Sequence, residues 1–279
     1  MRLTRTLTDQ MLRLVQSLSP PYCILCQQPH TRPRPICFAC QEALPRNQSA
    51  CRRCATPLPQ NSAHCDHGGS AQSAWGDMSR LAESTTVWLP SSASPTCNHY
   101  RHTSPTIEET QAPFLMQGGV KELIHLWKFQ HRPHLSPLLA SLFFECAAKR
   151  IHLSNKRPAT LVPVPTQWDR RLRRGFDHTW LLAQALKQQA LIGHGVKSWL
   201  KTHQRRMPQH RLSRQERLLN ADSPFIASHK IKGCDVIVID DVITTGATAS
   251  AAARACIEAG AQSVKVWCVA KTPAPGLSR

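Results

Sequence analysis

The sequence predicts an α/β protein, with a mainly parallel sheet and helices on both faces, preceded by a small cysteine-rich module. Three observations predict it. Residues 161–164, 236–239 and 264–269 are short apolar runs rich in β-branched side chains, the pattern of strands buried on both faces. Stretches with apolar residues at helical spacing start near Val120, His178 and Thr248. Ahead of them all, six of the twelve cysteines fall in Cys-x-x-Cys pairs. The expected division is a cysteine module over residues 1–67, a linker or long surface loop over 68–112, and an α/β domain over 113–279.

Length and composition bound the function. A chain of 279 residues has ample length for a core. It holds no apolar run of the ~18 residues that span a bilayer, and residues 1–23 lack the continuous apolar stretch of a secretion signal. Paired cysteines of this kind favour metal in a reducing compartment over disulfides, so the expected location is cytoplasmic. The formal net charge is +18, and residues 156–232 carry sixteen Lys/Arg against four Asp/Glu. Polyanions are the natural partners of such a surface, whether nucleic acid or pyrophosphate. The sixteen aromatics do not interleave the basic runs as a base-stacking platform would.

Taken in order, the amino-terminal elements are metal knuckles. Cys23 and Cys26 stand ten residues before Cys37 and Cys40, separated by a Pro-rich loop, a spacing that fits one tetrahedral Zn²⁺ held by four thiolates. Cys51 and Cys54 form a further knuckle, to which Cys65 adds a third thiolate. His64 or His67 is available as fourth ligand, and His67 is the better placed, two residues from Cys65. A segment of about fifty residues builds little core of its own, so the metal's first role would be structural. Residues 68–112, rich in Ser, Thr, Pro, Ala and Gly, show no helical or strand period.

A helix with one apolar face is expected from Val120, broken near Pro133 and resumed over 138–146. Lys128 lies beside that face; it could reach a phosphate, although a snorkelling surface lysine is the commoner arrangement. After the strand at 161–164, Arg170, Arg171, Arg173 and Arg174 precede Gly175 and a helix over about 178–186. Four arginines at the carboxyl end of a strand suit a pyrophosphate or a nucleic-acid backbone. Residues 201–225 are polar and cationic and read as a flap over the ligand corner.

The strand at 236–239 runs into Asp240 and Asp241, then Thr244, Thr245, Gly246, Ala247 and Thr248 open a helix that closes at Gly260. Open α/β sheets bind ligands at this end of their strands. Free amides at a helix start cradle an anion, and two carboxylates beside the cradle suit the vicinal hydroxyls of a ribose, with or without a divalent ion. The pattern is not a Walker loop.

This stretch resembles the phosphoribosyl pyrophosphate (PRPP) motif of type I phosphoribosyltransferases, in which the paired acids bind the ribose hydroxyls and the Thr/Gly loop the 5-phosphate. That resemblance implies PRPP binding, with Mg²⁺, by Asp240, Asp241, Thr244, Thr245, Gly246, Ala247 and Thr248, to which the residues add Arg173 and Arg174. Over nearly its whole length the chain resembles the ComF/GntX family, on "SLSPPYCILC", "LIHLWKF", "VPVPTQWDRRLRRGFDHT", "RMPQHRLSRQERLLN", the Asp-Asp motif and "VKVWCVAKT". The resemblance implies a type I phosphoribosyltransferase-like fold behind a zinc-ribbon-like module. It also implies handling of incoming single-stranded DNA in natural transformation, with a DNA-translocating helicase and a recombination mediator as partners. Arg170, Arg171, Arg205, Arg206 and Arg211 are the expected DNA contacts. The chain departs from the family where Cys65 is followed by Asp66, His67 and Gly68 instead of closing a knuckle with a second cysteine, and where 68–112 is longer and less patterned. Two other classes stay open: a catalytic phosphoribosyltransferase, whose acceptor pocket no stretch identifies, and a non-catalytic PRPP-sensing regulator.

Overall fold

Two long strands, Asp235–Ile243 and Ser263–Lys271, run parallel through the middle of a five-stranded sheet. The computed structural model describes residues 21–58, 107–147, 151, 159–166, 171–172, 174–190, 195–202 and 224–273. In chain order the elements are α1 (Phe38–Glu42), β1 (Glu109–Gln111), β2 (Phe114–Leu115), α2 (Gly118–Phe129) and α3 (Ser136–Ala147). They continue with β3 (Thr160–Pro163), α4 (His178–Ala190), β4 (Leu200–Thr202) and β5 (Phe225–Ala227), then β6 (Asp235–Ile243), α5 (Ala247–Glu258) and β7 (Ser263–Lys271). The strand order is β1-β7-β6-β3, with β2 also on β7, and every pair in this sheet is parallel. The break expected at Pro133 is a 3-10 turn, Pro133–Leu135, leading straight into α3.

Alternation along the strands separates two cores. Ile237 and Ile239 point with Trp267 and Val269 toward α2, α3 and α4, while Val236 and Val238 point with Val264, Val266 and Cys268 toward α5. Helices therefore cover both faces. On the second face, buried alanines at 249, 251, 252, 253 and 255 keep α5 thin, which brings its backbone close to the sheet.

The first strand lies inside the stretch expected to be linker. Glu109–Gln111 pairs with β7 from Glu109↔Lys265 to Gln111↔Trp267, and all three residues are buried. An all-polar Glu-Thr-Gln segment has no apolar alternation to read, so backbone pairing and polar side-chain contacts carry the strand. Its carboxylate is offset by Lys265 at 3.7 Å and Arg52 at 3.8 Å.

The cysteine module is fastened to that same edge. Leu115 N–H donates to Pro45 O (2.9 Å), Asn47 N–H to Pro113 O (2.7 Å) and Thr110 N–H to Arg52 O (2.8 Å). Cys23, Ile36 and Leu44 join the core on the α2–α4 side, while Cys51, Cys54 and Ala55 join the core on the α5 side. A Cβ on Gly119, at the start of α2, would lie 3.0 Å from Leu25 and 3.1 Å from Leu44, so the helix end seats directly on the module. Gln41 Nε2 donates to Glu145 at 2.9 Å, and Arg34 pairs with the same carboxylate, tying the module to α3 as well.

The segment expected to form a flap starts and finishes on a two-stranded antiparallel ribbon. Thr202 faces Phe225 and Leu200 faces Ala227. Residues 203–223, with Arg205, Arg206 and Arg211, lie outside the described residues, as do Cys65, His67, Arg170 and Arg173.

Candidate functional site

The first cysteine set is one cluster. The sulfurs of Cys23, Cys26, Cys37 and Cys40 all lie within 4.8 Å of one another, and Cys26 Sγ is 3.8 Å from Cys37 Sγ. A tetrahedral zinc with Zn–S bonds of about 2.3 Å requires sulfurs about 3.8 Å apart. The local fold explains the convergence. Cys23 C=O accepts from Gln27 N–H and Cys23 N–H donates to Gln28 O, closing a tight knuckle with Gln27 at φ 58°. Cys37 caps α1, its sulfur accepting from Cys40 N–H. Burial opposes ionisation of Cys23, yet the amides of Cys26, Cys37 and Leu25 bring its thiol down to about 6. Burial and the neighbouring sulfurs push Cys40 up to about 12. Four thiolates this close need a dication to share their charge, and the donor set fits zinc.

Cys51–Thr56 repeats the knuckle. Ala55 N–H donates to Cys51 O, Cys51 N–H donates to Thr56 O, and Ala55 takes φ 54°. Both cysteines of this knuckle are buried.

The second feature is a cavity of about 560 Å³ at the carboxyl ends of β3 and β6. Its wall takes Asp240 and Asp241 from β6, Ala247 and Thr248 from α5, Lys128 from α2, Thr166, Arg174 and His178 from the β3–α4 connection, and Thr202 and Phe225 from the ribbon. Thr244, Thr245 and Gly246 form the turn beside it, with both threonines exposed. Gly246 sits at φ 84°, a left-handed conformation that favours glycine, and reverses the chain into α5. Buried Lys271 steadies this turn by donating from Nζ to Thr244 O at 2.6 Å. Gly246, the N-cap residue of α5, has no side chain to cap the helix, and Ala247 N–H reaches only Thr245 Oγ1 at a long 3.4 Å, so this helix start suits an anion.

Charge is distributed unequally over the acid pair. Asp241 Oδ2 accepts from Lys128 Nζ and from His178 Nε2, both at 2.5 Å. Burial alone would raise the Asp241 carboxyl, but Lys128 and then His178 overcome it and hold the group well below the usual carboxylate range. Asp240 is pushed up to about 7, by burial first and then by the adjacent Asp241 charge. Arg174, which can only donate, lies 3.0 Å from His178 Nδ1; that nitrogen therefore accepts, and Nε2–H is the donor to Asp241. The imidazole edge meets Trp127 at 5.4 Å, and Trp127 is itself fixed by donating to Ser136 Oγ at 2.9 Å.

Of the residues singled out from sequence, Asp240, Asp241, Ala247, Thr248 and Arg174 meet in the cavity, while Arg171 is exposed and outside its wall. Lys128 corrects an expectation: it is not a snorkelling surface lysine but a side chain only 13% exposed, paired with the second aspartate. The apolar face of α2 concealed this, because the last turn reaches past the core to the strand ends. His178 was missed. Its one local signal is the Asp177-His178 pair behind Gly175, where Asp177 caps α4 by accepting from Trp180 N–H at 3.2 Å.

Residues 14–67 match the double zinc ribbon domain and residues 199–278 the phosphoribosyl transferase domain. The chain is 33% identical over 152 residues to the DNA utilization protein YhgH of Salmonella typhimurium, covering 54% of this chain and 66% of that one. It is 31% identical over 154 residues to competence protein F of Haemophilus influenzae, covering 53% of this chain and 66% of the relative. The match thus spans just under two thirds of either relative's length. Among solved structures, the glutamine PRPP amidotransferase of B. subtilis, complexed with ADP and GMP, aligns at 20% identity over 50% of this chain and 26% of that one, with a TM-score of 0.32. The four-thiol cluster and the double zinc ribbon match together support structural zinc. Among the described residues, no helix is long and apolar enough to cross a membrane.

Two outcomes follow from this geometry. Protein purified without chelator is expected to carry at least one zinc per chain by elemental analysis, and Cys37→Ser to lose one equivalent; zinc-free wild-type protein would contradict this. The second concerns Asp240. The folded chain retains its proton up to about pH 7, whereas the unfolded chain releases it near the ordinary value of 3.8. Stability therefore falls as pH rises between those values and levels off above the upper one. Asp240→Asn removes that dependence, so its urea midpoint should exceed the wild type's at pH 8 and converge with it near pH 4.

Proposed function

We propose that the chain, which is similar to competence and DNA-utilization proteins and carries a zinc ribbon ahead of a phosphoribosyltransferase domain, is a DNA-uptake accessory protein of the ComF/GntX family. In this reading it handles incoming single-stranded DNA in the cytoplasm and binds PRPP with Mg²⁺ at the β6–α5 corner. The observation that carries the PRPP part is the meeting of Asp240 and Asp241 with the uncapped start of α5 and Arg174 around one cavity. Vicinal hydroxyls match the carboxylates, and a phosphate matches the α5 amides. Hard carboxylate oxygens also suit Mg²⁺, which would neutralise a diphosphate alongside them. Arg173 and Arg174 would serve the diphosphate.

The DNA part rests on charge and on the relatives. One relative is named for competence and the other for DNA utilization. The sixteen Lys/Arg within 156–232 exceed what one small-molecule cavity can use. Arg171 is exposed outside that cavity, where a nucleic-acid backbone would have access to it, and Arg170, Arg205, Arg206 and Arg211 would extend the same path. A helicase and a recombination mediator of the transformation machinery would be the protein partners. A second zinc would be held by Cys51, Cys54, Cys65 and His67, since the Cys51–Cys54 knuckle repeats the backbone bonds of the first.

Calorimetry with PRPP and Mg²⁺ tests the site. Asp240→Asn combined with Asp241→Asn should weaken binding by ~10-fold or more, since together they remove the ionised Asp241 and an Asp240 carboxyl that can yield its proton to a metal. Unchanged affinity in a folded double variant would reduce the corner to a helix start. Anisotropy of labelled single-stranded DNA across salt concentrations tests the partner. Replacing Arg170 and Arg171 should flatten the salt slope by up to ~0.7 per lost phosphate contact. Identical slopes would remove DNA from this segment and favour a transferase.

A further inference from the structure

We propose that Lys128 is an internal counter-ion that holds Asp241 closed to metal until an anionic, metal-bearing ligand draws the lysine away. The inference rests on the phosphoribose reading of the cavity and concerns how that site is opened. Lys128 Nζ and His178 Nε2 share a single oxygen of Asp241, and all three side chains line the cavity. The pair thus stands where a ligand would enter, not behind the wall. A divalent ion that takes this oxygen must displace an ammonium already 2.5 Å from it, and one that takes the other oxygen must sit beside the same positive charge.

The two donors differ in freedom. The His178 ring is fixed at both nitrogens, by Asp241 on one side and by Arg174 at 3.0 Å and Thr166 Oγ1 at 3.1 Å on the other. Trp127 closes one edge of it. Lys128 instead reaches the oxygen on a flexible four-carbon stem from the last turn of α2, with three rotatable N–H donors. It is the partner able to move.

Its displacement has a condition. An ammonium only 13% exposed is poorly solvated, so parting it from its carboxylate is unfavourable unless another anion takes over. A neutral diol, such as an unphosphorylated riboside, supplies none, and neither does a bare dication. A diphosphate supplies it in the same cavity, and the metal that travels with the diphosphate then satisfies the released carboxylate. The arrangement selects ligands that carry anion and cation together, and it imposes an order in which metal does not precede phosphate.

Binding of Mn²⁺ alone, followed through the paramagnetic resonance of free Mn²⁺ in zinc-loaded protein, tests this without PRPP. Wild type should bind Mn²⁺ weakly, and Lys128→Met and Lys128→Gln should each bind one equivalent ~10-fold tighter or more. Adding Asp241→Asn to Lys128→Met should abolish the gain, while Lys128→Arg, which keeps the charge, should remain as weak as wild type. Tight Mn²⁺ binding by the wild type overturns the proposal with no variant required. Equal affinities in wild type and folded Lys128→Gln overturn it as well. Failure of wild type to bind PRPP would sink the phosphoribose reading separately, since none of these Mn²⁺ titrations contains it.

Discussion

One carboxylate oxygen, Oδ2 of Asp241, is the point on which the arrangement turns. It joins β6 to the end of α2 through Lys128 and to the start of α4 through His178. A carboxylate buried this deeply demands compensation, and the two donors supply it from helices that also pack on the same core. The same oxygen divides the acid pair electrostatically. Because Lys128 and His178 stabilise the charge on Asp241, the charge penalty falls on Asp240, whose carboxyl is pushed up to about 7 by burial and by its neighbour. The two aspartates, identical in sequence, are therefore unlike in chemistry.

The helix that delivers Lys128 is positioned at its other end by the cysteine module. Gly119 sits against Leu25 and Leu44, whose methyl groups would have to shift for a side chain to fit there. Twelve residues of α2, about 18 Å of helix, thus connect the knuckle at Cys23 and Cys26 to the carboxylate at Asp241. The module is consequently more than an appended bead. Its two knuckles, alike in their backbone bonds and in a left-handed residue at Gln27 and Ala55, pack into opposite cores of the sheet. The edge strand formed by β1 and β2 passes between them, hydrogen-bonded to the module at Arg52, Asn47 and Pro45.

Much of this was legible in the sequence where the signal is local. The apolar run ahead of Asp240 marks β6, Gly246 marks the turn, and the cysteine spacing matches the cluster whose sulfurs the fold brings together. The strand is longer than its apolar run, because Asp240 stays on the ladder opposite Cys268 and the pairing continues at Val242 and Ile243 instead of giving way to a turn. What was not legible depends on distance along the chain. His178 and Asp241 stand 63 residues apart, and neither carries a local mark of the other. Lys128 sits beside a clean apolar stripe, and its pattern is the same whether its stem ends in water or on a buried acid. β1 was invisible for a different reason: its polar residues are buried through ion pairs and ladder bonds, for which periodicity has no symbol.

The ribbon of β4 and β5 gives the cationic segment a definite point of attachment. Leu200 and Phe225 are anchored in the core on the α5 side, while Thr202 and Phe225 reach the cavity wall. Since Thr202 and Phe225 are paired directly, the chain leaves and rejoins the fold at one place on the cavity rim. The sequence between those two residues is strongly cationic. That sequence carries five arginines against one glutamate and one aspartate. Inside the rim, Lys128 already offsets Asp241, and Arg174 adds a further positive charge. Within the cavity wall Lys128 and Arg174 stand beside Asp240 and Asp241, so an incoming anion meets cations next to the acid pair instead of carboxylates alone.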